Sequence, residues 1–243
     1  MSNKAKILIN SLNNKIRAEN INSIKELILQ INDEKGNLNQ SGLDKNTPLV
    51  VACFKNNIPI AKELIDHGAN VNQYDEYQNS PLNTAISCHG TKMVKFLIDH
   101  NVDVDQPNRY DEAPLLLALN GCDWDMVDLL IINNADIDQV DDDDYTILMR
   151  LISESNDYLD NQKAELLIDK YNANINYINK NNHTALSIAA QKNNYELINF
   201  LLKAGASIDD NEFRKYARMN STLINLVNGH LVSKNKSKQI PKT

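Results

Sequence analysis

Five histidines, three cysteines and a run of four aspartates are the side chains from which catalysis or metal binding could be built in this sequence. His67, His89, His100, His183 and His230 are scattered, and none belongs to a His-Glu-x-x-His pair. No serine or cysteine lies in a nucleophile elbow, and no Gly-rich phosphate loop is present. Cys53, Cys88 and Cys122 are odd in number and lack a Cys-x-x-Cys spacing. That argues against a disulfide framework or structural zinc site, and for a reducing, cytoplasmic setting. Asp141, Asp142, Asp143 and Asp144 invite a calcium reading, but the spaced acids, central glycine and distal glutamate of a calcium loop are missing. Four adjacent acids at a turn read instead as a solvated patch that steers a basic segment of a partner. No catalytic, metal or cofactor site is expected, and the chain reads as a non-enzyme.

Composition agrees with that reading. Over 243 residues, 42% are hydrophobic and 23% charged, which folds and stays soluble. No apolar run reaches the roughly 18 to 20 residues of a membrane helix, and no secretion signal is visible at the start. Net charge is −7, and four of the 25 cations sit in residues 234–243. The remaining body holds 21 cations against 32 acids, so a phosphate backbone is a poor partner.

What could position a binding surface is an internal repeat. Thr47-Pro48-Leu49, Ser80-Pro81-Leu82, Ala113-Pro114-Leu115 and Thr146-Ile147-Leu148 recur at a step of 33, and Thr184-Ala185-Leu186 follows after 38. A second ladder shares those steps: Gly68-Ala69-Asn70-Val71-Asn72, Asn101-Val102-Asp103-Val104-Asp105, Asn134-Ala135-Asp136-Ile137-Asp138, Asn172-Ala173-Asn174-Ile175-Asn176 and Gly205-Ala206-Ser207-Ile208-Asp209. Each unit begins with a capping hydroxyl, or with proline at the first helical position. A short helix follows, then a second with apolar residues three and four apart, such as Ile60, Ala61, Leu64 and Ile65. Gly68, Gly205, Asn101, Asn134 and Asn172 can close it in the left-handed region. One such pair cannot bury its apolar face alone, so units must stack.

These two segments resemble the signatures of ankyrin repeats, most closely at Thr184-Ala185-Leu186 with Ala189 and Ala190 and at Leu201-Leu202 before Gly205-Ala206. The resemblance implies an all-α ankyrin-repeat solenoid of stacked helix-turn-helix units with short β-hairpin-like loops. It divides the chain into an N-terminal capping helix pair over 1–41 (a degenerate repeat) and five repeats over 42–210, at about 42–74, 75–107, 108–140, 141–178 and 179–210. C-terminal capping helices over 211–232 and a Lys-rich disordered tail over 233–243 follow, about seven helix pairs in one array. Two departures stand out. The family's histidine after Thr-Pro-Leu is replaced by Val50, Asn83, Leu116, Met149 and Ser187, which predicts a lost hydrogen-bonding group in each unit. The hairpin glycine is replaced by Lys45, Gln78, Asp111, Asp144 and Asn182, which predicts irregular hairpins and modest stability. The extra residues between Ser153 and Lys163 are expected to lengthen the link within the fourth repeat.

The resemblance also implies the function: a non-catalytic module that binds a partner protein through hairpin tips and the exposed face of each first helix. Mapped onto this sequence, that strip contains Tyr74, Tyr77, Arg109, Tyr110, Asp142, Asp143 and Tyr145 on hairpins. On first helices it contains Phe54, Lys55, Ser87, Cys88, Asn120, Ser153 and Glu154. Tyrosine and arginine commonly anchor interfaces, although tip tyrosines can equally pack on neighbouring hairpins. Cys53 is expected in the core, and Trp124 as a local packing plug. A monomer is expected, with neither nucleic acid nor membrane as partner. The rival reading is a stoichiometric enzyme inhibitor or adaptor, delivered into a host cytoplasm as a secreted effector of an intracellular bacterium or large virus. Asn72 and Asn176 lie where asparagines of such repeats are sometimes hydroxylated.

Overall fold

The start of each repeat follows from its capping residue. Thr47 is extended (φ −78°, ψ 151°), its side chain accepts the amide of Val50, and Pro48 opens the helix where no N–H partner is lost. Ser80 and Thr184 cap in the same way, whereas Ala113 has no side chain to offer and Pro114 alone marks that start. Second helices carry caps of their own. Asn57, Asp123 and Asn194 accept the amides of Ile60, Met126 and Leu197, while Gly90 at the equivalent place makes no side-chain cap.

The computed structural model describes residues 3–19, 21–34, 36–154, 158–209 and 211–238, with no regular strand among them. The chain divides into two compact units, Met1–Asp136 and Ile137–Thr243. The first contains α1 (Asn3–Arg17), α2 (Ile21–Asp33), α3 (Pro48–Phe54), α4 (Ile58–Asp66), α5 (Pro81–Ser87), α6 (Thr91–Ile98), α7 (Pro114–Asn120) and α8 (Trp124–Ile132). The second contains α9 (Ile147–Glu154), α10 (Tyr158–Asp169), α11 (Ala185–Gln191), α12 (Tyr195–Lys203), α13 (Asn211–Met219) and α14 (Ser221–Lys238). Among the described residues these are four helix pairs in the first unit and three in the second, each unit a stack of the ankyrin-repeat solenoid type. In the first unit α1, α3, α5 and α7 pack in succession, each against its own second helix. In the second, α9, α11 and α13 do the same.

The core comes from the apolar stripes. Ile60, Ala61 and Leu64 on α4, Met93, Val94 and Leu97 on α6, and Leu197, Ile198, Leu201 and Leu202 on α12 are all buried. Ala52, Ala85 and Ala118, one step of 33 apart, are buried on successive first helices, where a methyl group permits close approach. Cys53 is fully buried beside them, and burial pushes its thiol far above the ordinary range. That makes it packing, not a nucleophile.

Two polar ladders recur along the chain, one that staples neighbouring loops and one that braces hairpin turns from within. The first runs along the Asn/Asp-x-Asn/Asp loops. Asn70 Oδ1 accepts the amide of Asn72 in its own loop at 3.0 Å, and Asn72 Oδ1 accepts the amide of Asp103 in the next loop at 2.8 Å. Asp105 to Asp136 repeats the link at 2.9 Å in the first unit. Asp138 to Asn174 and Asn176 to Ser207 repeat it at 2.8 Å in the second. The spacing of two therefore has a mechanical cause: one side chain shapes the turn and the other staples the neighbour.

The second ladder corrects the expectation of irregular hairpins. Lys45, Gln78, Asp111, Asp144 and Asn182 share one left-handed conformation, φ 60° to 66°. In the last four turns it is braced from within, while the Lys45 turn has Gly42 at the bracing position. Asp75 Oδ1 accepts the amides of Tyr77 and Asn79 at 2.8 and 2.9 Å, and Asn108, Asp141 and Asn179 do the same at their own turns. The expected loss of a hydrogen-bonding group in every unit also fails at two positions. Asn83 donates to the Gln106 carbonyl at 3.0 Å, and Ser187 donates to the Thr184 carbonyl and accepts its amide. Among the described residues one hairpin shows a bridge, between Val140 and Thr146.

Two segments depart from the boundaries drawn from sequence. The insertion in the fourth repeat does more than lengthen a link: α10 begins at Tyr158 and has 12 residues, against nine in α4, α8 and α12, while 155–157 lie outside the described residues. The closing helix α14 continues past residue 232 to Lys238, into the stretch expected as tail, and 239–243 lie outside the described residues.

Candidate partner-binding site

In the unit Met1–Asp136, the first helices and the inner sides of their hairpins enclose an open groove of about 500 Å³. Val50, Val51 and Phe54 come from α3, Asn83, Thr84, Ser87 and Cys88 from α5 and its end, and Leu117 from α7. Asn46, Asn79 and Asn108 contribute from the hairpins and Arg17 from the end of α1. Phe54 is 63% exposed, because it follows the buried stripe of α3 by one residue and so turns out of the core. Lys55 beside it is exposed.

Hairpin tyrosines divide into two kinds. Tyr77 (42% exposed) and Tyr110 (67%) occupy the same turn position, each amide held by the side chain of the residue two before it. Cations cover one face of each ring: Lys45 Nζ lies 5.6 Å from the Tyr77 centroid, and the Arg109 guanidinium 4.5 Å from that of Tyr110. Arg109 also donates to the Tyr110 hydroxyl at 2.5 Å. Tyr74, by contrast, is a strut. Its hydroxyl donates to the Pro107 carbonyl of the next hairpin at 2.5 Å, and burial raises its pKa above the ordinary tyrosine value.

Site residues of the unit Ile137–Thr243 are largely engaged with one another. Asp141 accepts two turn amides and two hydrogen bonds from Arg150 of α9, and Asp143 pairs with Arg150 at 3.1 Å. The Arg150 guanidinium stacks 4.9 Å from the Tyr145 centroid and lies 3.9 Å from Glu154. Burial works against its charge, but the hydrogen bonds it donates to Asp141 and Asp143 outweigh it and keep Arg150 charged beyond its usual range. Asp144 accepts the Tyr177 hydroxyl at 2.6 Å and the Lys180 amide, which together lower its pKa. Of the four acids read as a solvated steering patch, Asp141 and Asp144 are therefore structural braces, and the exposed ones are Asp142 and Asp143.

Arg150 and Arg17 were not singled out from the sequence, nor were Thr84 and Leu117. Arg150 had a signal: it lies one helical turn before Glu154 and shortly after the four aspartates. Cys88 is half-buried in the groove, and burial raises its thiol pKa. Cys122 is exposed at the turn before α8, and Trp124 at its start is half-buried. His67 and His100 hydrogen-bond to the carbonyls of Glu63 and Phe96, four residues back. Among the described residues no group of three or more His, Cys, Asp or Glu is placed to hold a metal ion, and no helix is long and apolar enough to cross a membrane.

The sequence matches the family model described as ankyrin repeats (3 copies) over residues 12–108 and 115–212. No curated protein matches the chain. Among solved structures it is similar to the ankyrin repeat domain of Bcl-3, described as a member of the IkappaB protein family. That likeness has a TM-score of 0.74 and 20% identity, covering 89% of this chain and 97% of the other. It is also similar to EF0377, an ankyrin repeat protein (TM-score 0.63, 27% identity, 80% and 97% covered). An ankyrin repeat domain from Acinetobacter baumannii AYE is alike at TM-score 0.62 and 29% identity, with 81% and 98% covered. With the family model spanning most of the helices described above, the chain belongs to the ankyrin-repeat family, whose repeats are generally protein–protein interaction modules.

Proposed function

We propose that the groove of Met1–Asp136 binds a partner protein without catalysis, with Phe54 in its wall and Tyr77 and Tyr110 on the hairpin tips beside it. The observation that carries this reading is the exposure of three aromatic side chains on a surface whose stacking is complete without them. An aromatic ring left in water forgoes about 2 kcal/mol of burial, which partner binding recovers. Tyr74 and Tyr145, by contrast, are strut and packing residues.

A photoreactive residue placed at Ser87, in the groove, tests the reading against one at Ile132, which is 78% exposed on α8. In cells that express the protein, crosslinks to a partner are expected from Ser87 and not from Ile132. Crosslinks from Ile132 alone contradict the proposal.

A further inference from the structure

Around the groove, acids are engaged and three cations are left without an ion pair among the described residues. Of its lining residues only Arg17 is charged, and none is a carboxylate. Three more cations stand on the same helix ends and hairpins: Lys45, Lys55 and Arg109. None of the three has a carboxylate within ion-pair distance among the described residues; Lys45 and Arg109 lie instead on tyrosine faces. Acids of these hairpins are already engaged. Asp44 is paired with Arg17 at 2.6 Å and with Asn13, Glu76 with Lys6 at 3.5 Å, and Glu112 accepts the Asn108 amide group at 2.7 Å. Asp75 is buried in its turn, and Asp111 is half-buried.

We infer that the segment this groove takes up is an acidic peptide with an apolar residue among its carboxylates, a reading that rests on the proposed function above. Phe54, Val51 and Leu117 give the apolar side chain its contact, while Lys45, Lys55 and Arg109 meet the carboxylates. A cation held on an aromatic face has one side left open and little rotamer freedom to lose, which favours a charge-assisted hydrogen bond from that side. A basic segment would place like charges together here. A nucleic acid is disfavoured by the net charge of −7, since three or four local cations cannot offset repulsion of a long polyanion.

Selection of random 12-residue peptides displayed on phage, against the full chain, tests the inference. Selected peptides are then synthesised and titrated by fluorescence anisotropy. The expected result is enrichment of Asp and Glu beside Leu, Ile or Phe. Affinity should fall at least about tenfold with Lys45→Glu/Lys55→Glu/Arg109→Glu, and also with Phe54→Ala, while circular dichroism melting stays unchanged. Neutral or basic peptides that need Phe54 overturn the acidic reading and leave the groove standing. Peptides that ignore both changes, or none at all, overturn the groove as well. A single-stranded oligonucleotide that binds more tightly than any selected peptide overturns the peptide class.

Discussion

At the scale of single residues, the backbone asks for glycine and the chain supplies something else. Gln78 sits at φ 61°, a region that costs a side-chain-bearing residue about 1–2 kcal/mol, whereas glycine loses only about 0.5–1 kcal/mol in chain entropy. The Asp75 carboxylate bonds on either side of it make the conformation persist. Gln78→Gly is therefore expected to raise stability by about 0.5–1 kcal/mol, read as a higher midpoint in urea at unchanged slope. An equal or lower midpoint would mean that the turn imposes no strain. The regularity of these hairpins was not legible residue by residue, because Lys45 and Gln78 are poor left-handed residues. What compensates Gln78, the Asx side chain of Asp75, is visible only when its two amide partners are known.

Elements and their connections show where sequence reading succeeds and where it stops. Helix starts at Thr47, Ser80 and Thr184 and left-handed ends at Gly68, Asn101, Asn134, Asn172 and Gly205 were legible, since each depends on one residue type at one step. The role of the acidic turn was not. Four aspartates look alike in sequence, yet Asp141 turns inward to Arg150 and Asp144 bridges to the fifth hairpin through Tyr177. That bridge gives a signed pH prediction. The folded pKa of Asp144 is depressed, chiefly by the Tyr177 hydroxyl and then by the Lys180 amide. Its stabilisation is thus complete above the unfolded carboxylate value and fades as pH falls below about 4. Tyr177→Phe should lower the melting temperature at pH 7, with the gap to the wild type shrinking below about pH 4. A gap independent of pH would show that the hydroxyl acts through packing alone.

For the molecule as a whole, the same 33-residue step that builds the stack also decides what is left over for binding. Apolar residues at helical spacing are used up in the core, and the paired Asn and Asp side chains are used up as staples between loops. Phe54, Tyr77 and Tyr110 are spent on neither. Their exposure was legible from position in the repeat, whereas the unpaired cations around them were not, because that depends on which acids already have partners. The most direct test is a paired one on Phe54→Ala/Tyr77→Ala/Tyr110→Ala, measuring affinity for a groove-selected peptide beside thermal unfolding of the full chain. Binding is expected to weaken at least about thirtyfold, with the melting temperature kept within about 3 °C. Retained binding would contradict the assignment of the groove, and a melting loss as large as that of a buried change such as Leu97→Ala would show that these aromatics serve the fold.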